Sequence, residues 1–553
     1  MPSVDTASAI LESLDALGVT HVLYCPGSRS APFAYALEAG SFGGDARAVL
    51  DERGAGFAAV GLARTGALPA IVVTSGTAVA ELAPAVLEAS HARLPLLVLS
   101  ADRPGELRGV GASQATDQSG FFGTHVRASV DLEPQEASPS LVGHLARAVA
   151  AACGAPSGTP GPAQINVAFR DPLTPVRPAC DCGDEAGASF VPRPTRVLAA
   201  PAVPVPWEDV VSLAAAGLII AGEGASPRAR EWSAASGFPL LAEPASGAWK
   251  GGAVTPFEQS LVASPLGSEV DAVVVTGRPT LSRPIQALLA RPDVRVVVVD
   301  PHSPWVDISG NASVVVADLE PAREPVRAAQ AEWASHVRDA AREAGERIDS
   351  LLASGSGRTM LDLARSVAAS TRGPLVLGAS NPVRAFDLAV PTLEGRIVHS
   401  NRGQAGIDGT IATAVGIALG SGYAGEASAS EGERVTAVMG DLTACHDASS
   451  LALASSMRAN LDIVVADDQG GGIFATLEHG RATSPEAYDR WFGLAQTVDY
   501  EALAAAYGVA FARADAPREL ESLLADPVAG PRLIHAPVER AAHLYPAIRD
   551  VLS

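Results

Sequence analysis

The chain contains 553 residues, of which 48% are hydrophobic and 18% are charged, and its formal net charge at pH 7 is −21. This length exceeds what one hydrophobic core supports and predicts two to four domains. Strong negative charge repels phosphates, which argues against nucleic acids and anionic membranes as partners. No apolar run reaches the roughly 18 residues that cross a bilayer. The first residues also lack the pattern of a signal peptide, so we expect a cytoplasmic protein without membrane insertion.

The N-terminal third of the sequence alternates helices with short apolar strands. Apolar residues recur at helical spacing from Ile10 to Leu17, and Gly18 ends this first helix. The strands that follow each end in a small polar loop that opens a helix, as in HVLYCPGSRSAP, RAVLDERGAG, AIVVTSGTAV and PLLVLSADRP. This rhythm predicts a parallel sheet covered on both faces, with ligands at the carboxyl ends of its strands.

Two more regions of the same kind follow a linker rich in Pro, Ala and Gly over residues 177–206. The second region has strands at GLIIAGEG, DAVVVTG and VRVVVVD, and LLASGSGRTM separates it from the third. The third has strands at PLVLGASNP, RIVHSNRG, VTAVMGD and LDIVVADDQGGG. The sequence therefore predicts an α/β fold with three doubly wound parallel-sheet domains, over residues 1–182, 207–345 and 356–553.

The cysteines show neither a paired disulfide pattern nor a CxxC metal spacing. We therefore expect reduced thiols, most of them buried. The five cysteines are Cys25, Cys153, Cys180, Cys182 and Cys445.

Acidic residues follow two successive strands of the third region. Asp441 follows the strand VTAVMG, and Asp468 follows LDIVVAD ahead of three glycines. Adjacent parallel strands would bring both carboxylates to one edge of the sheet, where glycine lets the backbone approach a ligand. Two acids and a main-chain carbonyl suit Mg²⁺ together with a substrate phosphate. A helix cap remains the alternative for Asp441, because a helical pattern follows it.

These residues carry a resemblance to the thiamin-diphosphate-dependent enzymes. Gly440-Asp441 with the distant Asp468 and Gly470 resembles that family's Gly-Asp-Gly and Asn-Asn signature. Leu442 replaces the third glycine, and Asp468 replaces the second asparagine. The resemblance implies thiamin diphosphate and Mg²⁺ as cofactors, with Mn²⁺ as an alternative metal, and it implies Asp441, Asp468 and the main-chain oxygen of Gly470 as metal ligands. It also implies a pyrimidine domain, a central domain and a diphosphate domain.

Glu52 in LDERGAGFAAVGLA follows a strand and precedes a glycine-rich helix. Such an acid is often only a helix cap. The thiamin enzymes have their proton-relay glutamate in this context, so the resemblance implies that Glu52 binds N1′ of the aminopyrimidine and exchanges a proton with it.

Four arginines lie in loops that follow strands, namely Arg29, Arg103, Arg384 and Arg402. Each could be a solvated or structural charge. Together, in an acidic protein and where ligands should bind, they indicate two dicarboxylate substrates, because the planar guanidinium group binds carboxylates in a bidentate manner.

The chain resembles the 2-succinyl-5-enolpyruvyl-6-hydroxy-3-cyclohexene-1-carboxylate (SEPHCHC) synthase family of menaquinone biosynthesis. The resemblance lies in these arginines and in the stretches CPGSRSAP, TSGTAVAEL, GASQATDQ, SNRGQAGIDGT and GGGIF. The resemblance covers nearly the whole chain. It is close in the first and third domains and loose in the second, where GRPTLSRP is the recognisable piece. It implies a transferase that decarboxylates 2-oxoglutarate and adds the succinyl carbanion to isochorismate. It also implies a homodimer or homotetramer with active sites at the subunit interface.

The family's functional positions are matched as follows. Substrate contacts are Ser28, Arg29, Arg103, Gln114, Arg283, Arg384, Arg402 and Leu477, although a plain core leucine is an equal alternative for Leu477. Ser282 stands where some relatives have lysine. The cofactor positions are Glu52, Ser380, Ile407, Gly440, Asp441, Asp468, Gly470, Ile473 and Phe474, with Ile407 as the wedge that bends the cofactor. Catalytic roles fall to Glu52, Arg402, Arg29 and Gln114.

Three alternatives remain at this stage. Another thiamin-diphosphate carboligase or 2-oxoacid decarboxylase, of the acetolactate synthase type, would share the cofactor residues. A nucleotide-binding oxidoreductase is suggested by IIAGEGASP, which lacks the third glycine of the dinucleotide fingerprint. A noncatalytic scaffold would not need Glu52, Asp441 and Asp468 together.

Overall fold

The computed structural model describes residues 3–175, 193–211, 216–251, 254–324, 326–422 and 434–553. The named strands within these ranges form three sheets in which every neighbouring pair is parallel. Helices separate most of the strands along the chain. The predicted α/β fold with three parallel sheets is therefore confirmed, whereas the exact domain boundaries stay predictions.

The first sheet has six strands in the order β2-β1-β3-β4-β6-β5. Strands β3, β4 and β6 are buried along their whole length, because helices cover both faces of the sheet. Its strands are β1 (His21–Tyr24), β2 (Asp45–Ala48), β3 (Pro69–Val73), β4 (Leu96–Asp102), β5 (Ala128–Leu132) and β6 (Pro162–Ala168), and its helices are α1 (Ser3–Ala16), α2 (Ala31–Glu38), α3 (Glu52–Arg64), α4 (Thr77–Ala80), α5 (Ala83–Ala92) and α6 (Pro139–Ala152).

The second sheet has five strands in the order β11-β10-β9-β7-β8. Valine-rich β9 and β10 form its buried centre. Its strands are β7 (Gly217–Ala221), β8 (Leu240–Ala242), β9 (Ala272–Thr276), β10 (Arg295–Val299) and β11 (Ala312–Val316), and its helices are α7 (Trp207–Val210), α8 (Ala229–Ser236), α9 (Glu258–Ala263), α10 (Pro265–Glu269), α11 (Arg283–Leu289) and α12 (Ala328–Ala353).

The third sheet has six strands in the order β13-β12-β14-β15-β17-β16. Its strands are β12 (Leu375–Leu377), β13 (Val398–His399), β14 (Val435–Gly440), β15 (Leu461–Asp467), β16 (Ala510–Arg513) and β17 (Arg532–Pro537). The helices of this part of the chain are α13 (Met360–Ser370), α14 (Asn381–Ala389), α15 (Thr410–Gly420), α16 (Asp441–His446), α17 (Ser450–Ser456), α18 (Gly472–Ala475), α19 (His479–Ala482), α20 (Pro485–Tyr488), α21 (Tyr500–Ala506), α22 (Pro517–Ala525) and α23 (Leu544–Arg549), with a π-helical turn at Asp489–Gly493.

Contacts divide the chain into two compact units that do not follow its sequence order. The first unit comprises Met1–Ala200, Gly403–Gly425 and Asp447–Ala459, and the second comprises Pro201–Arg402, Glu426–His446 and Asn460–Ser553. Helices α15 and α17 therefore belong to the unit of the first sheet, although they lie between strands of the third sheet in sequence.

Helices α3 and α15 of the first unit pack with their backbones in contact. A Cβ atom on Gly61 of α3 would lie 2.1 Å from the carbonyl oxygen of Thr413, and one on Gly416 of α15 would lie 2.0 Å from that of Ala58. Because any larger residue would push the helices apart, both glycines are required by this contact.

The linker and the cysteines are only partly described. Residues 193–204 form no helix or strand, as predicted for a linker, and residues 177–192 lie outside the described part of the chain. Cys180 and Cys182 lie there as well. The other cysteines are free, but only Cys25 is buried, because Cys445 is partly exposed and Cys153 is exposed. No helix in the described ranges has the length and apolar character needed to cross a membrane.

Candidate active site

The carboxyl ends of three strands of the first sheet carry predicted site residues. Arg29 follows β1, Glu52 follows β2 and Arg103 follows β4. Arg103 donates from Nη1 to the Ser75 hydroxyl at 2.5 Å and to the Gln114 carbonyl at 2.6 Å. Ser75 follows β3 and was not among the predicted residues, although it belongs to the TSGT stretch that marks this loop.

Gln114 is bound to the same loop. Its side-chain amide donates to the Ser75 carbonyl at 2.9 Å, and its backbone has a φ of 55°, which non-glycine residues rarely adopt. A Cβ on Gly76 would lie 3.0 Å from the Gln114 side chain. The structure thus brings Gln114 and Arg103 together around Ser75, whereas Ser28 lies exposed in the turn before Arg29.

Arg29 and Arg103 lie close enough to influence each other electrostatically. Burial lowers the pKa of Arg103, and the charge of Arg29 lowers it further. Arg29 donates to the Phe169 carbonyl at 3.0 Å, while its buried Nε has no hydrogen-bond partner. An anion between these guanidinium groups would relieve their repulsion.

Glu52 is not the cap of the helix that it opens. Asp51 is the N-cap residue of α3, with extended backbone angles, and its carboxylate accepts the amide of Gly54 at 3.2 Å. Glu52 is the first residue of α3 and is half-buried. The capping alternative considered for Glu52 therefore applies to its neighbour.

Arg384 and Arg402 meet at the carboxyl ends of β12 and β13. Both donate from Nη1 to the carbonyl of Ala379, at 3.2 Å for Arg384 and 3.1 Å for Arg402. Arg384 also donates to the carbonyl of Ser380, and Arg402 donates to the Thr280 hydroxyl at 3.1 Å. Burial lowers the pKa of Arg384 to about 10, and the neighbouring charge of Arg402 contributes.

Arg283 lies on an exposed surface of the second unit and forms an ion pair with Glu478. The two groups are 2.7 Å apart, and this pairing holds the pKa of the Glu478 carboxyl down at about 2. Glu478 follows the predicted contact Leu477, which is partly exposed and so is not a fully buried core leucine. Ser282 caps α11 by accepting the amide of Ile285.

Asp441 and Asp468 lie together at the carboxyl ends of β14 and β15, as predicted. These strands are hydrogen-bonded neighbours, with Gly440 paired to Ala466. Burial raises the pKa of Asp441 to about 6, with Asp467 contributing. Burial raises the pKa of Asp468 to about 7, and the charge on Asp441 is the second cause. The Oδ2 atom of Asp441 is buried without a hydrogen-bond partner.

The three glycines after Asp468 pack mainly against the chain itself. A Cβ on Gly470, whose φ is 124°, would lie 2.1 Å from the carbonyl oxygen of Gly493, and one on Gly471 would lie 2.2 Å from that of Phe492. One on Gly472 would lie 1.8 Å from the carboxylate of Asp468. The pattern predicts glycines that let a ligand approach, whereas the structure shows that their own neighbours already require them.

The π-helical turn supports this glycine loop. The Gly471 amide donates to the Gly493 carbonyl at 2.6 Å, and the Tyr488 hydroxyl donates to the Gly471 carbonyl at 2.8 Å. Phe474 packs against Phe492, with ring centres 5.6 Å apart. Ile473 and Phe474, both predicted cofactor contacts, lie half-buried on the short helix α18 next to the loop.

Arg540 is a site residue that sequence reasoning missed. Its Nε donates to the main-chain carbonyl of Asp468 at 2.7 Å, and its charge lowers the pKa of both Asp441 and Asp468. Nothing in the stretch VERAAHLYP distinguishes this arginine, because it lies far along the chain from the acids that it contacts.

The residues at the third sheet fit a magnesium diphosphate. Burial disfavours the ionised form of both carboxylates, and one of them has an unpartnered buried oxygen, so a bound cation would stabilise their ionised forms. No group of three or more His, Cys, Asp or Glu in the described ranges could hold a metal. Mg²⁺ suits such a site, since it needs few carboxylates and retains water and phosphate oxygens.

The alternative of a dinucleotide site loses its support. A Cβ on Gly222 of the stretch IIAGEGASP would lie 2.1 Å from the backbone of Arg278, and one on Gly277 would lie 2.5 Å from the carbonyl of Gly222. These glycines are explained by close packing of two loops at the end of the second sheet, without a bound pyrophosphate.

Two known domain families match parts of this chain. The N-terminal TPP binding domain of thiamine pyrophosphate enzymes matches residues 4–121, and the C-terminal TPP binding domain matches residues 389–536. Together with three parallel sheets, these matches define the class of thiamine pyrophosphate enzymes.

Full-length relatives give the family within that class. The chain is 43% identical to a 2-succinyl-5-enolpyruvyl-6-hydroxy-3-cyclohexene-1-carboxylate synthase of Kineococcus radiotolerans, over 93% of the chain and 91% of the relative. It is 40% identical to the synthase of a Nocardioides species over 97% and 95%, and 39% identical to that of Renibacterium salmoninarum over 100% and 97%. The chain belongs to the SEPHCHC synthase family.

Proposed function

We propose that this chain forms SEPHCHC by decarboxylating 2-oxoglutarate and adding the four-carbon unit to isochorismate, as a transferase of menaquinone biosynthesis. One observation carries the proposal for this site. Arg384 and Arg402 are largely buried, share one carbonyl acceptor, and have no carboxylate within 4 Å among the described residues. Family membership supports the same reaction.

Buried guanidinium groups without a directly paired carboxylate are costly to keep. The buried acids Asp387 and Glu243 offset part of this charge from a greater distance. The buried Nε of Arg402 has no acceptor at all. A carboxylate that arrives with substrate would supply the missing partner in a bidentate arrangement. Arg29 and Arg103 form a second guanidinium pair, which differs in that the exposed carboxylate of Asp171 lies 3.9 Å from Arg29. Two dicarboxylic substrates, 2-oxoglutarate and isochorismate, suit two such pairs.

Each group of site residues has its own role in the proposed reaction. The guanidinium groups bind and orient the carboxylates, and Gln114 offers its exposed side chain next to Arg103. Glu52, which does not cap α3, holds and moves a proton at N1′ of the aminopyrimidine. Thiamin diphosphate, when bound, supplies the electron sink that allows a 2-oxo acid to lose carbon dioxide. Exposed Ile407 offers an apolar surface that would contact the bound cofactor.

We propose Mg²⁺ as the metal, held by Asp441, Asp468 and the main-chain oxygen of Gly470. The unpartnered oxygen of Asp441 supports this assignment. Gly440 precedes Asp441 without contacts that would block a ligand, since a Cβ there would meet nothing within 4 Å. Ser380, at the start of α14, is proposed as a further cofactor contact.

We further propose a homodimer or homotetramer that works in the cytoplasm. Leu50, two residues before Glu52, is 87% exposed, and Trp491, next to the glycine loop, is 71% exposed. A second copy of the chain would cover such apolar groups near the proposed site. Free thiols at Cys25, Cys153 and Cys445 suit a reducing compartment.

A direct test incubates the protein with thiamin diphosphate, Mg²⁺, 2-oxoglutarate and isochorismate and follows carbon dioxide and the product by mass spectrometry. We expect one product that contains the carbons of isochorismate and four carbons of 2-oxoglutarate. Release of carbon dioxide with pyruvate, and none with 2-oxoglutarate, would instead indicate an acetolactate-type carboligase.

Arg402→Ala is expected to lower kcat/KM while leaving the affinity for thiamin diphosphate unchanged. A buried charge-assisted contact contributes about 2 to 4 kcal/mol, which corresponds to about 30- to 1000-fold. Initial rates with each substrate varied in turn measure the loss, and calorimetry measures cofactor binding. Arg372→Ala, which removes an exposed arginine of the same unit, is the matched control. A loss under about threefold for both substrates would contradict the role of Arg402.

A further inference from the structure

Glu88 holds the first residues of the loop that follows Arg402. This carboxylate is 2% exposed and lies on α5. It accepts the backbone amide of Gly403 at 2.9 Å and that of Gln404 at 2.7 Å. Only glycine fits at position 403, because a Cβ there would lie 2.5 Å from the carbonyl oxygen of Glu88.

Asp447 holds the other end of the same segment. It is fully buried, and its Oδ2 accepts the amides of Ile411 at 2.7 Å and Ala412 at 3.1 Å. The N-cap residue of α15 is Gly409, which has no side chain to satisfy these amides. Asp447 thus supplies from a distant part of the sequence the cap that α15 lacks locally.

Both carboxylates face an arginine of α3. Arg64 lies 2.9 Å from Glu88, and Arg53 lies 3.6 Å from Asp447. Arg53 directly follows Glu52, and Arg64 is the last residue of α3. One helix therefore presents the proposed proton-relay residue and also supplies the counter-ions for both acids.

The segment between the two acids needs such support. It contains Gly403, Gly406 and Gly409, and glycine loses the most conformational freedom on ordering. Charge-assisted hydrogen bonds from backbone amides to a carboxylate are stronger than neutral ones and fix the direction of the chain. Held at both ends, the segment can present Ile407 in one orientation.

We propose that Glu88 and Asp447 are positioning residues, which fix the segment 403–412 and, through it, Ile407. The effect on catalysis rests on the function proposed above for Ile407, whereas the effect on the segment does not. Neither acid touches the reacting groups in this proposal, so each acts only through the backbone amides that it accepts.

Hydrogen exchange of the cofactor-free protein tests the proposal without reference to activity. Each carboxylate oxygen of Glu88 accepts one of the two amides, and Glu88→Gln replaces one of these oxygens by an NH₂ group. We therefore expect at least one of the amides of residues 403 and 404 to exchange about tenfold faster or more. Asp447→Ala, which removes the one oxygen that accepts both amides, should accelerate exchange at 411 and 412. Arg64→Met is the matched control, because it removes the counter-ion and leaves the acceptor of both amides in place.

Kinetics at a temperature below the onset of unfolding complete the test. We expect Glu88→Gln to reduce kcat/KM on the order of 10- to 100-fold, because small misplacements of binding groups have effects of that size. Arg64→Met should lose thermal stability while remaining within about threefold of wild type. If the glutamine variant does not fold, Glu88→Asp, which keeps the charge, replaces it in the test. We expect faster exchange at 403 and 404 in this variant as well.

The outcomes separate the two proposals. Wild-type exchange at 403 and 404 in both Glu88 variants would overturn the positioning role. Equal kinetic losses in Arg64→Met and Glu88→Gln would also overturn it, since they would reflect only general destabilisation. A wild-type protein that forms no product from 2-oxoglutarate and isochorismate would refute the proposed function and leave the exchange result standing.

Discussion

Asp441→Ala is expected to abolish the binding of thiamin diphosphate. The variant loses the carboxylate that, with Asp468, is proposed to hold Mg²⁺, and the diphosphate would then face the remaining carboxylate without a cation between them. Calorimetric titration with Mg²⁺ in excess should give binding heat for wild type and none for the variant. Asp515→Ala, which removes an exposed acid after β16 of the same sheet, controls for the change in net charge.

The metal-free protein offers an independent check of the same assignment. Because burial raises the pKa of Asp441 to about 6, its ionised form disfavours the folded state above that pH. Asp441→Asn should therefore melt at a higher temperature than wild type in EDTA at pH 8. This difference should shrink as the pH falls below about 6, where the wild-type carboxyl is protonated. In the calorimetric titration, an unchanged cofactor affinity of Asp441→Ala would refute the assignment of Asp441 as a metal ligand.

Glu52→Gln is expected to slow the exchange of the thiazolium C2 hydrogen with D₂O, and turnover with it, by at least about 100-fold. General acid–base groups contribute about 10²- to 10⁴-fold, and glutamine keeps the shape and hydrogen bonding of Glu52 without being able to move a proton. Cofactor affinity should persist, because it is proposed to depend mainly on the magnesium diphosphate at the third sheet. Proton NMR of the bound cofactor follows the exchange directly.

Asp51→Ala separates a proton relay from a helix cap. Asp51 caps α3 and accepts the Ser449 hydroxyl at 2.9 Å, so its loss should lower the melting temperature. We expect C2 exchange to stay near the wild-type rate in this variant. If Glu52→Gln exchanged at the wild-type rate, the relay would have to be another residue.

The sequence contained enough information for the sheets and for the acid pair. Continuous apolar strands such as LDIVVAD signal burial on both faces, and successive parallel strands brought Asp441 and Asp468 to one edge as expected. It could not assign the cap at LDERG, because two adjacent acids satisfy the same pattern and only backbone angles identify Asp51. Nor could it reveal Arg540, whose contacts with the Asp468 backbone are distant in sequence.

The glycine loop shows a second limit. GGG is compatible with ligand approach, and nothing local indicates that Gly470 and Gly471 press against the carbonyls of residues 492 and 493. The sequence also did not indicate that α15 belongs to the first unit. Its sequence TIATAVGIALG is apolar on every side and almost wholly buried, which indicates burial but does not identify the packing partner.

The backbone contact between α3 and α15 has a consequence for synthesis of the protein. During translation, α3 leaves the ribosome long before Thr410 is incorporated, and the face that holds Gly61 then has no partner. At about 5 to 20 residues per second, the delay is on the order of 20 to 70 seconds. The N-terminal unit therefore cannot finish folding as it emerges. A truncated chain that ends at the first sheet would present this uncovered helix face to chaperones and proteases.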